Sequence, residues 1–197
     1  MDIAIIKYNA GNIQSVLYAL DRIGAKALVT DDVEAIRSAD RVIFPGVGEA
    51  STAMEYLRTR GLDRVIRELT QPVLGICLGM QLMCRHSEEN DTQCLGIFNE
   101  DVRRFDAEGE NFKIPQIGWN TIRDLKGDIF DRVPESSYCY FVHSYHASLG
   151  AHTIGVTDYI TPYSSALQKD NFTGVQFHPE KSAVVGERIL RNFLSRH

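Results

Sequence analysis

Segments with strand and helix character alternate through the first half of the chain, and this alternation most restricts the folds open to it. Ile3–Ile6 is a compact apolar run, typical of a strand that is buried on both faces. Apolar residues then recur at helical spacing from Ile13 to Ile23, between Asn12 at the expected N-cap and Gly24 at the expected C′ position. Alternation of this kind with short connections predicts a parallel sheet covered by helices.

The later segments first continue this pattern and then change character. Further strands are predicted at 26–29, 41–44 and 73–76, and further helices at about 32–38, 62–69 and 80–85. Strand-like pieces punctuated by turn residues follow at 117–122, 138–145, 153–157, 165–168 and 172–177, before a last helix at about 183–194. We therefore expect one α/β domain over residues 1–197. Its central, mostly parallel sheet should be flanked by helices, with extra β structure in the second half.

Composition and charge exclude several classes of protein. Of the 197 residues, 44% are hydrophobic, and the formal net charge is −5 without a Lys/Arg-rich run, which argues against general affinity for nucleic acid or anionic membranes. The longest apolar stretches are too short to span a bilayer, and no leader pattern is recognisable, so we expect a cytoplasmic protein. Four cysteines without metal-site or redox spacing predict reduced thiols.

The pattern Gly75-Ile76-Cys77-Leu78-Gly79 lies between the strand predicted at 73–76 and a segment of helical character. A nucleophile flanked by glycines in this context is typical of a nucleophile elbow, here with cysteine where many hydrolases have serine. The turn would expose the sulfur above the sheet at a helix N-terminus, which favours the thiolate. The amide of Leu78 would be one oxyanion donor. The alternative is a buried, structural Cys77 in a glycine-containing turn.

The tripeptide His178-Pro179-Glu180 ends the strand predicted at 172–177. In an extended segment, residues two apart point to the same side, so the histidine and glutamate side chains can meet. A carboxylate on one ring nitrogen fixes the tautomer and leaves the other nitrogen to act as a base toward a thiol. A strand-end histidine beside a solvated glutamate is the simpler interpretation of this tripeptide alone. Its occurrence with the elbow in one α/β chain favours a catalytic set of Cys77, His178 and Glu180.

The loop Pro45-Gly46-Val47-Gly48 follows the strand predicted at 41–44. Glycines let the backbone approach a substrate and turn its amides toward it, so Val47 and Gly48 are candidates for further oxyanion donors. An ordinary glycine-rich loop is the alternative, and the lack of a following Gly-Lys-Ser/Thr excludes a Walker A loop. His143 and His146 are three residues apart, which puts strand side chains on opposite faces, so we expect no metal site there.

With these residues in hand, the whole chain resembles the class-I, triad-type glutamine amidotransferases. Within them it most resembles the glutaminase subunits that serve imidazole glycerol phosphate synthases. The segments that carry the resemblance are Tyr8-Asn9-Ala10-Gly11-Asn12 with Ser15-Val16, Pro45-Gly46-Val47-Gly48, Leu74-Gly75-Ile76-Cys77-Leu78-Gly79-Met80-Gln81, Gly118-Trp119-Asn120, Tyr140-Phe141-Val142-His143-Ser144-Tyr145 and Gly174-Val175-Gln176-Phe177-His178-Pro179-Glu180. The resemblance implies the flavodoxin-like fold of that family. Lys7 and Asn9 depart from its usual pattern of an acidic and a small residue, which leaves the detail of partner contact open.

The resemblance also implies a function and a role for each site residue. Cys77 would attack the side-chain amide of L-glutamine, His178 would be the base and later the acid, and Glu180 would orient His178. Gln81 and the Gly48 backbone would hold the glutamine, opposite a wall of His143, Ser144 and Tyr145. Ammonia would pass through a channel to a TIM-barrel cyclase, in a heterodimer that needs no cofactor or metal in this subunit. The residues that the resemblance places at the partner interface are Asn12, Trp119, Asn120 and Lys181.

Two other functions remain open at the level of sequence. The chain could be the amidotransferase subunit of a different synthase, built on the same fold with the same cysteine chemistry. It could also be a non-catalytic, flavodoxin-like module that binds a partner, with Cys77 purely structural. Covalent labelling of Cys77 by a glutamine-like electrophile separates the last alternative from the others, because a binding module would not react there.

Overall fold

A computed structural model describes residues 1–107 and 112–195. The predicted domain over residues 1–197 therefore includes 108–111 and 196–197, which lie outside the described residues. The α-helices are α1 (Ile13–Arg22), α2 (Val33–Ser38), α3 (Ala50–Thr59), α4 (Leu62–Glu68), α5 (Leu78–Met83) and α6 (Ala183–Ser195). The strands are β1 (Ile3–Ile6), β2 (Ala27–Thr30), β3 (Arg41–Gly46), β4 (Val73–Cys77), β5 (His86–Ser87), β6 (Thr92–Gln93), β7 (Asp101–Arg104), β8 (Gln116–Ile122), β9 (Ser137–His143), β10 (Tyr145–Ala147), β11 (Thr153–Asp158), β12 (Pro162–Lys169) and β13 (Phe172–Val175).

One large sheet organises the chain in the order β2-β1-β3-β4-β13-β12-β10-β7-β5-β6, with β11 paired to β12. The five strands from β2 to β13 are mutually parallel, whereas β12 runs antiparallel to β13, and β10 runs antiparallel to both β12 and β7. The predicted α/β fold, with a mostly parallel centre and extra β structure from the second half, is therefore confirmed.

Both faces of β1, β3, β4 and β13 are buried, which explains their continuous apolar runs. Ala4, Val42 and Val73 face one core, which α2, α3 and α4 cover with Ile36, Met54, Leu57 and Ile66 among others. Ile5, Ile43 and Leu74 face the opposite core, which α1 and α6 cover. No helix among the described residues is both long and apolar enough to cross a membrane.

The two ends of α1 differ in how well they follow the prediction. Gly24 has φ +77° and its amide donates to Asp21 O, so the predicted C′ glycine is confirmed. Asn12 stands directly before the helix, but its φ is 75° and its side chain makes no capping hydrogen bond. The predicted N-cap position of Asn12 is therefore confirmed, but its side chain donates to Glu180 instead of capping the helix.

The predicted strand at 138–145 is also wrong in one respect, because the chain bends at Ser144 and the segment belongs to two sheets. β9 pairs with β8 in a separate two-stranded sheet, whereas β10 joins the main sheet. The predicted strand at 172–177 ends at Val175 as β13. The main-chain amide of Gln176 still donates to Ser165 O of β12, whereas that of His178 donates to Tyr140 O of β9, each at 2.9 Å.

The carboxyl ends of β3, β4 and β13 meet at one edge of the sheet. Gly46 lies beside Cys77 in the register of β3 and β4, and Val175 lies beside Ile76 in that of β13 and β4. The loop after β3, the turn after β4 and the segment after β13 therefore share one location. Such an edge is where open α/β sheets bind their ligands.

Candidate active site

Cys77 is the last residue of β4 and stands directly before α5, with φ 53° and ψ −108°. A non-glycine residue in this region is strained and persists only where its surroundings hold it. The flanking glycines serve close packing instead, because neither has a positive φ. A Cβ on Gly79 would lie 1.8 Å from Phe44 O, and one on Gly75 2.3 Å from the Met83 Cε methyl. Adjacent segments of the same chain therefore pack tightly against the glycines of the elbow, and the strained backbone conformation is that of Cys77.

His178 and Glu180 meet beside this elbow. His178 Nδ1 lies 2.7 Å from Glu180 Oε1, and both side chains are fully buried. The expected contact is present, but its predicted cause is wrong, because Pro179–Lys181 forms a 3₁₀ turn rather than an extended segment. Since a carboxylate only accepts hydrogen bonds, Nδ1 carries the proton in this contact and Nε2 is left to face other groups.

The charge state of His178 depends on Cys77. Burial disfavours the imidazolium, but the Cys77 thiolate and Glu180 outweigh it and raise the pKa of His178 to about 10. Nε2 makes no hydrogen bond of standard geometry among the described residues, yet it lies near enough to the sulfur for this effect. His178 therefore holds a proton at neutral pH, which it can deliver to a leaving group.

Asn12 is tied to the same group of residues. Its side-chain Nδ2 donates to Glu180 Oε1 and lies 3.3 Å from His178 Nδ1. Because Nδ1 already holds a proton toward Glu180, the hydrogen bond that Asn12 can make is the one to the carboxylate. The residue expected at the partner interface thus also helps to fix the orientation of Glu180.

A cavity of about 380 Å³ opens above Cys77. The predicted site residues that line it are Val47, Gly48, Cys77, Leu78, Gln81, His143, Ser144 and Tyr145. His178 and Glu180 are fully buried and are not among the residues that line it. Glu89, Pro115 and Val142 also line it.

Glu89 is the lining residue that sequence reasoning missed, because it lies in the acidic run 88–91, which has the composition of a solvated loop. Its carboxylate accepts a hydrogen bond of 2.8 Å from the amide of Ala50, the first residue of α3. Burial raises the pKa of Glu89, and this hydrogen bond opposes the change. The contact with α3 was not visible in the local sequence.

Hydrogen bonds of the His143 side chain stabilise the wall formed by residues 143–145. His143 Nδ1 lies 2.7 Å from Tyr145 O, and its Nε2 lies 3.2 Å from the Tyr163 hydroxyl. Burial lowers the pKa of His143 to about 3, so this imidazole is neutral. The imidazole therefore fixes the turn around Ser144, on the border of the cavity.

His143 and His146 do not lie on opposite faces, so that expectation is wrong. Because the chain bends at Ser144, both imidazoles pack against Phe105, with ring centroids 5.3 and 4.4 Å away. Among residues 1–107 and 112–195, no group of three His, Cys, Asp or Glu side chains is placed to hold a metal ion.

The loop after β3 is constrained on both sides of Val47. Gly48 has φ +139°, and the amide of Gly11 donates to Val47 O at 3.2 Å. A Cβ on Gly46 would lie 2.0 Å from the Tyr8 hydroxyl oxygen. The glycines here are required by φ at Gly48 and by close approach at Gly46.

The other predicted interface residues lie around the β8–β9 hairpin. Trp119 is 53% exposed and Lys181 is exposed, with its Nζ 5.9 Å from the centre of the Tyr140 ring. Asn120 is half-buried, and its side chain donates to Asp158 O at 2.9 Å. Ile117 and Tyr138 are 63% and 60% exposed, so the hairpin presents an apolar outer face.

The remaining cysteines contrast with Cys77. Cys84, Cys94 and Cys139 are free and buried. Burial raises the pKa of Cys84, and it raises those of Cys94 and Cys139 to about 12. These three sulfurs are protonated at neutral pH and are unreactive as nucleophiles.

Comparison with known proteins gives a consistent result. The family model described as glutamine amidotransferase class-I matches residues 5–196. The chain is 58% identical to the imidazole glycerol phosphate synthase subunit HisH of Bacteroides fragilis (strain YCH46), over 98% of this chain and 99% of that protein. It is 56% identical to the subunit of the same name from Bacteroides thetaiotaomicron, with the same shares covered.

A solved structure shares the fold at much lower identity. This crystal structure, from Thermoplasma acidophilum and assigned to a GMP synthase, superposes with a TM-score of 0.75 at 18% identity, covering 98% of this chain and 92% of that one. At this identity the likeness concerns the fold alone.

Proposed function

The chain belongs to the class-I glutamine amidotransferase family, and from that premise we propose how its residues perform the reaction. It is the glutaminase subunit of an imidazole glycerol phosphate synthase, which acts in histidine biosynthesis by hydrolysing glutamine to glutamate and ammonia. The observation that carries the proposal is the strained Cys77 at the floor of the cavity, backed by the buried pair of His178 and Glu180.

Cys77 is the nucleophile and His178 the proton carrier. The thiolate attacks the side-chain carbonyl carbon of glutamine, the C–N bond then breaks, and His178 Nε2 gives its proton to the departing nitrogen, which leaves as ammonia. The neutral imidazole next takes a proton from the water that attacks the γ-glutamyl thioester. The C–S bond breaks, glutamate leaves, and the thiolate–imidazolium pair is restored. Glu180 orients the ring throughout and takes no proton.

The oxyanion that forms during both attacks needs backbone donors. Leu78 is the first residue of α5, so its amide has no partner within the helix and is free to point at the elbow. We assign it as one donor and the Val47–Gly48 loop as the source of the other, because both border the cavity over Cys77. Loss of one such donor typically lowers kcat by about 10²–10³.

Recognition of glutamine uses the rest of the cavity. Glu89 is the only acidic side chain among the lining residues, all of which lie in the described part of the chain, and its carboxylate suits the α-ammonium group. Gln81 and residues 143–145, which line the same cavity, would contact the remainder of the substrate.

The partner is a second subunit of the synthase, which we propose to be a TIM-barrel cyclase in a heterodimer with this chain. The apolar outer face of the β8–β9 hairpin, with Lys181 beside it, fits such a contact, because exposed apolar patches mark interaction sites. Val142 of the same hairpin borders the cavity, so the face and the site are joined through β9. We place the reaction in the cytoplasm, where free thiols of this kind persist.

Labelling with 6-diazo-5-oxo-norleucine tests the assignment of the nucleophile. Incubation of the chain with its synthase partner should modify one cysteine stoichiometrically, and peptide mass analysis should place the adduct on Cys77. Cys94→Ala is the matched control and should label like the wild type. Absence of an adduct at Cys77 in the assembled complex would show that this residue is not the nucleophile.

A further inference from the structure

Gln176 connects the sulfur of Cys77 to the substrate-binding residue Gln81, and the mechanism above does not use it. Its side chain is fully buried, with Nε2 3.6 Å from Cys77 Sγ and Oε1 2.9 Å from Gln81 Nε2. Gln176 directly follows β13. Its main-chain N–H donates to Ser165 O, which holds the residue beside Cys77.

The hydrogen bonds of Gln81 decide which end of the Gln176 amide faces the sulfur. Gln81 Nε2 lies 2.8 Å from Tyr145 O, a carbonyl that can only accept, so this end of Gln81 is its NH₂ group. The same NH₂ group faces Gln176, which must therefore present its carbonyl oxygen to Gln81. The NH₂ group of Gln176 is then the end directed at Cys77.

Two uncharged polar groups within 4 Å of the sulfur favour opposite protonation states of Cys77. Val142 O lies 3.9 Å from Sγ and can only accept, so it favours the thiol. Gln176 presents a donor at 3.6 Å, which favours the thiolate. Hydrogen bonds to a charged group are stronger than those between neutral groups, and burial increases the difference.

We propose that Gln176 is a further catalytic residue, whose side-chain NH₂ stabilises the Cys77 thiolate by a hydrogen bond held in orientation by Gln81. The inference rests on the proposed function, since it assigns a role toward the same nucleophile. An apolar residue would fill the same volume, but it would leave the buried NH₂ group of Gln81 with one acceptor fewer.

Alkylation of the full-length chain by iodoacetamide, followed from pH 5 to 10, measures the thiolate without requiring turnover. We expect Gln176→Met, which keeps the length and lacks the donor, to move the midpoint of the curve to higher pH. We also expect alkylation of Cys77 at pH 7 to slow about tenfold, the effect of about 1.4 kcal/mol. In the complex, kcat for glutaminase should fall by a similar factor, with a smaller change in KM.

Two further variants make the result decisive. Gln176→Glu keeps the shape of the side chain, and a carboxylate facing the sulfur should slow alkylation more than Gln176→Met does. If Gln176→Met does not fold, Gln176→Glu takes its place in the test. Ser165→Ala removes a buried hydroxyl that has no partner among the described residues, on the strand to which the Gln176 main chain is bonded. This control should alkylate like the wild type.

An unshifted alkylation curve in both folded Gln176 variants would overturn this inference while leaving Cys77 as the nucleophile. Failure of the wild type itself to label with the glutamine analogue would instead overturn the proposed function. The two failures are therefore distinguishable.

Discussion

The Nδ1 atom of His178 lies 2.7 Å from Oε1 of Glu180, and neither side chain is exposed to solvent. The contact fixes the orientation of the ring, and with it the ring nitrogen, Nε2, that is left for the sulfur of Cys77. Asn12 donates to the same carboxylate oxygen, so the orientation of Glu180 is determined from two sides.

The first prediction concerns Glu180→Ala. Because Glu180 orients the imidazole and takes no proton, this variant should retain more glutaminase activity than Cys77→Ala or His178→Ala. Steady-state release of glutamate by the three variants in the assembled complex makes the comparison. A Glu180→Ala variant as inactive as Cys77→Ala, with fold and assembly intact, would mean that the carboxylate does more than orient the ring.

The second prediction concerns pH. The folded state raises the pKa of His178 to about 10 against burial, through Cys77 and Glu180, from a usual value of 6.5. A group whose pKa is higher in the folded state stabilises that state fully at pH values below its pKa in the unfolded chain. This stabilisation is lost as the pH rises through its pKa in the folded state. The difference in free energy of unfolding between the wild type and His178→Gln should therefore shrink from pH 6.5 to 10.

Urea denaturation at pH 6, 8 and 10 measures that difference. Because Cys77 is the largest cause that raises this pKa, the same substitution in a Cys77→Ala background should show a weaker dependence on pH. A difference that stays constant or grows with pH would contradict the raised pKa of His178.

The third prediction concerns the elbow. Gly79→Ala would bring a Cβ to 1.8 Å from Phe44 O, a main-chain atom that cannot move aside cheaply. Gly24→Ala is the matched control, since its Cβ would meet nothing within 4 Å and the cost comes from the positive φ alone, about 1–2 kcal/mol. Thermal unfolding should show a much larger loss for Gly79→Ala. Equal losses would mean that close packing does not require this glycine.

Local sequence patterns predicted the parallel half of the fold well because its strands and helices bury their own apolar residues. The bounds of β1 agree with the prediction, and α1 ends before Gly24 as expected. Helix α3 was not predicted, although its buried residues, Ala50, Ala53, Met54 and Leu57, recur at the same helical spacing.

Features that depend on distant contacts could not be predicted in this way. The bend at Ser144 exists because the two flanking strands find different partners, β8 on one side and β7 with β12 on the other. Asn12 is a residue type typical of N-caps, but its side chain donates a hydrogen bond to Glu180, which is distant in sequence, and does not cap the helix. Glu89 looks like part of a solvated acidic run until α3 is placed against it.

The fourth prediction concerns regulation by the partner. A peptide flip between Val47 and Gly48 would change whether an amide or a carbonyl faces the oxyanion, and Gly48 accepts such a change because it already has φ +139°. The Gly11 amide holds Val47 O at 3.2 Å in the present conformation. We expect the isolated chain to hydrolyse glutamine at least about a hundredfold more slowly than the complex in which the partner subunit has bound its own substrate.

Glutaminase assays of the chain alone, with its partner, and with the partner loaded with the substrate of that subunit test this gate. The contact energy of the loaded partner would select the competent conformation of the loop. Comparable kcat values in all three samples would remove the gate and leave the mechanism with Cys77, His178 and Glu180 alone.

The most direct test of the central claim measures product formation by the assembled synthase from glutamine and, separately, from ammonium salt. Because Cys77 only generates ammonia, Cys77→Ala should abolish synthesis from glutamine and leave synthesis from ammonium salt unchanged, whereas the control Cys94→Ala should retain both. Loss of both activities in a correctly assembled Cys77→Ala complex, or survival of the glutamine-dependent activity, would contradict the account.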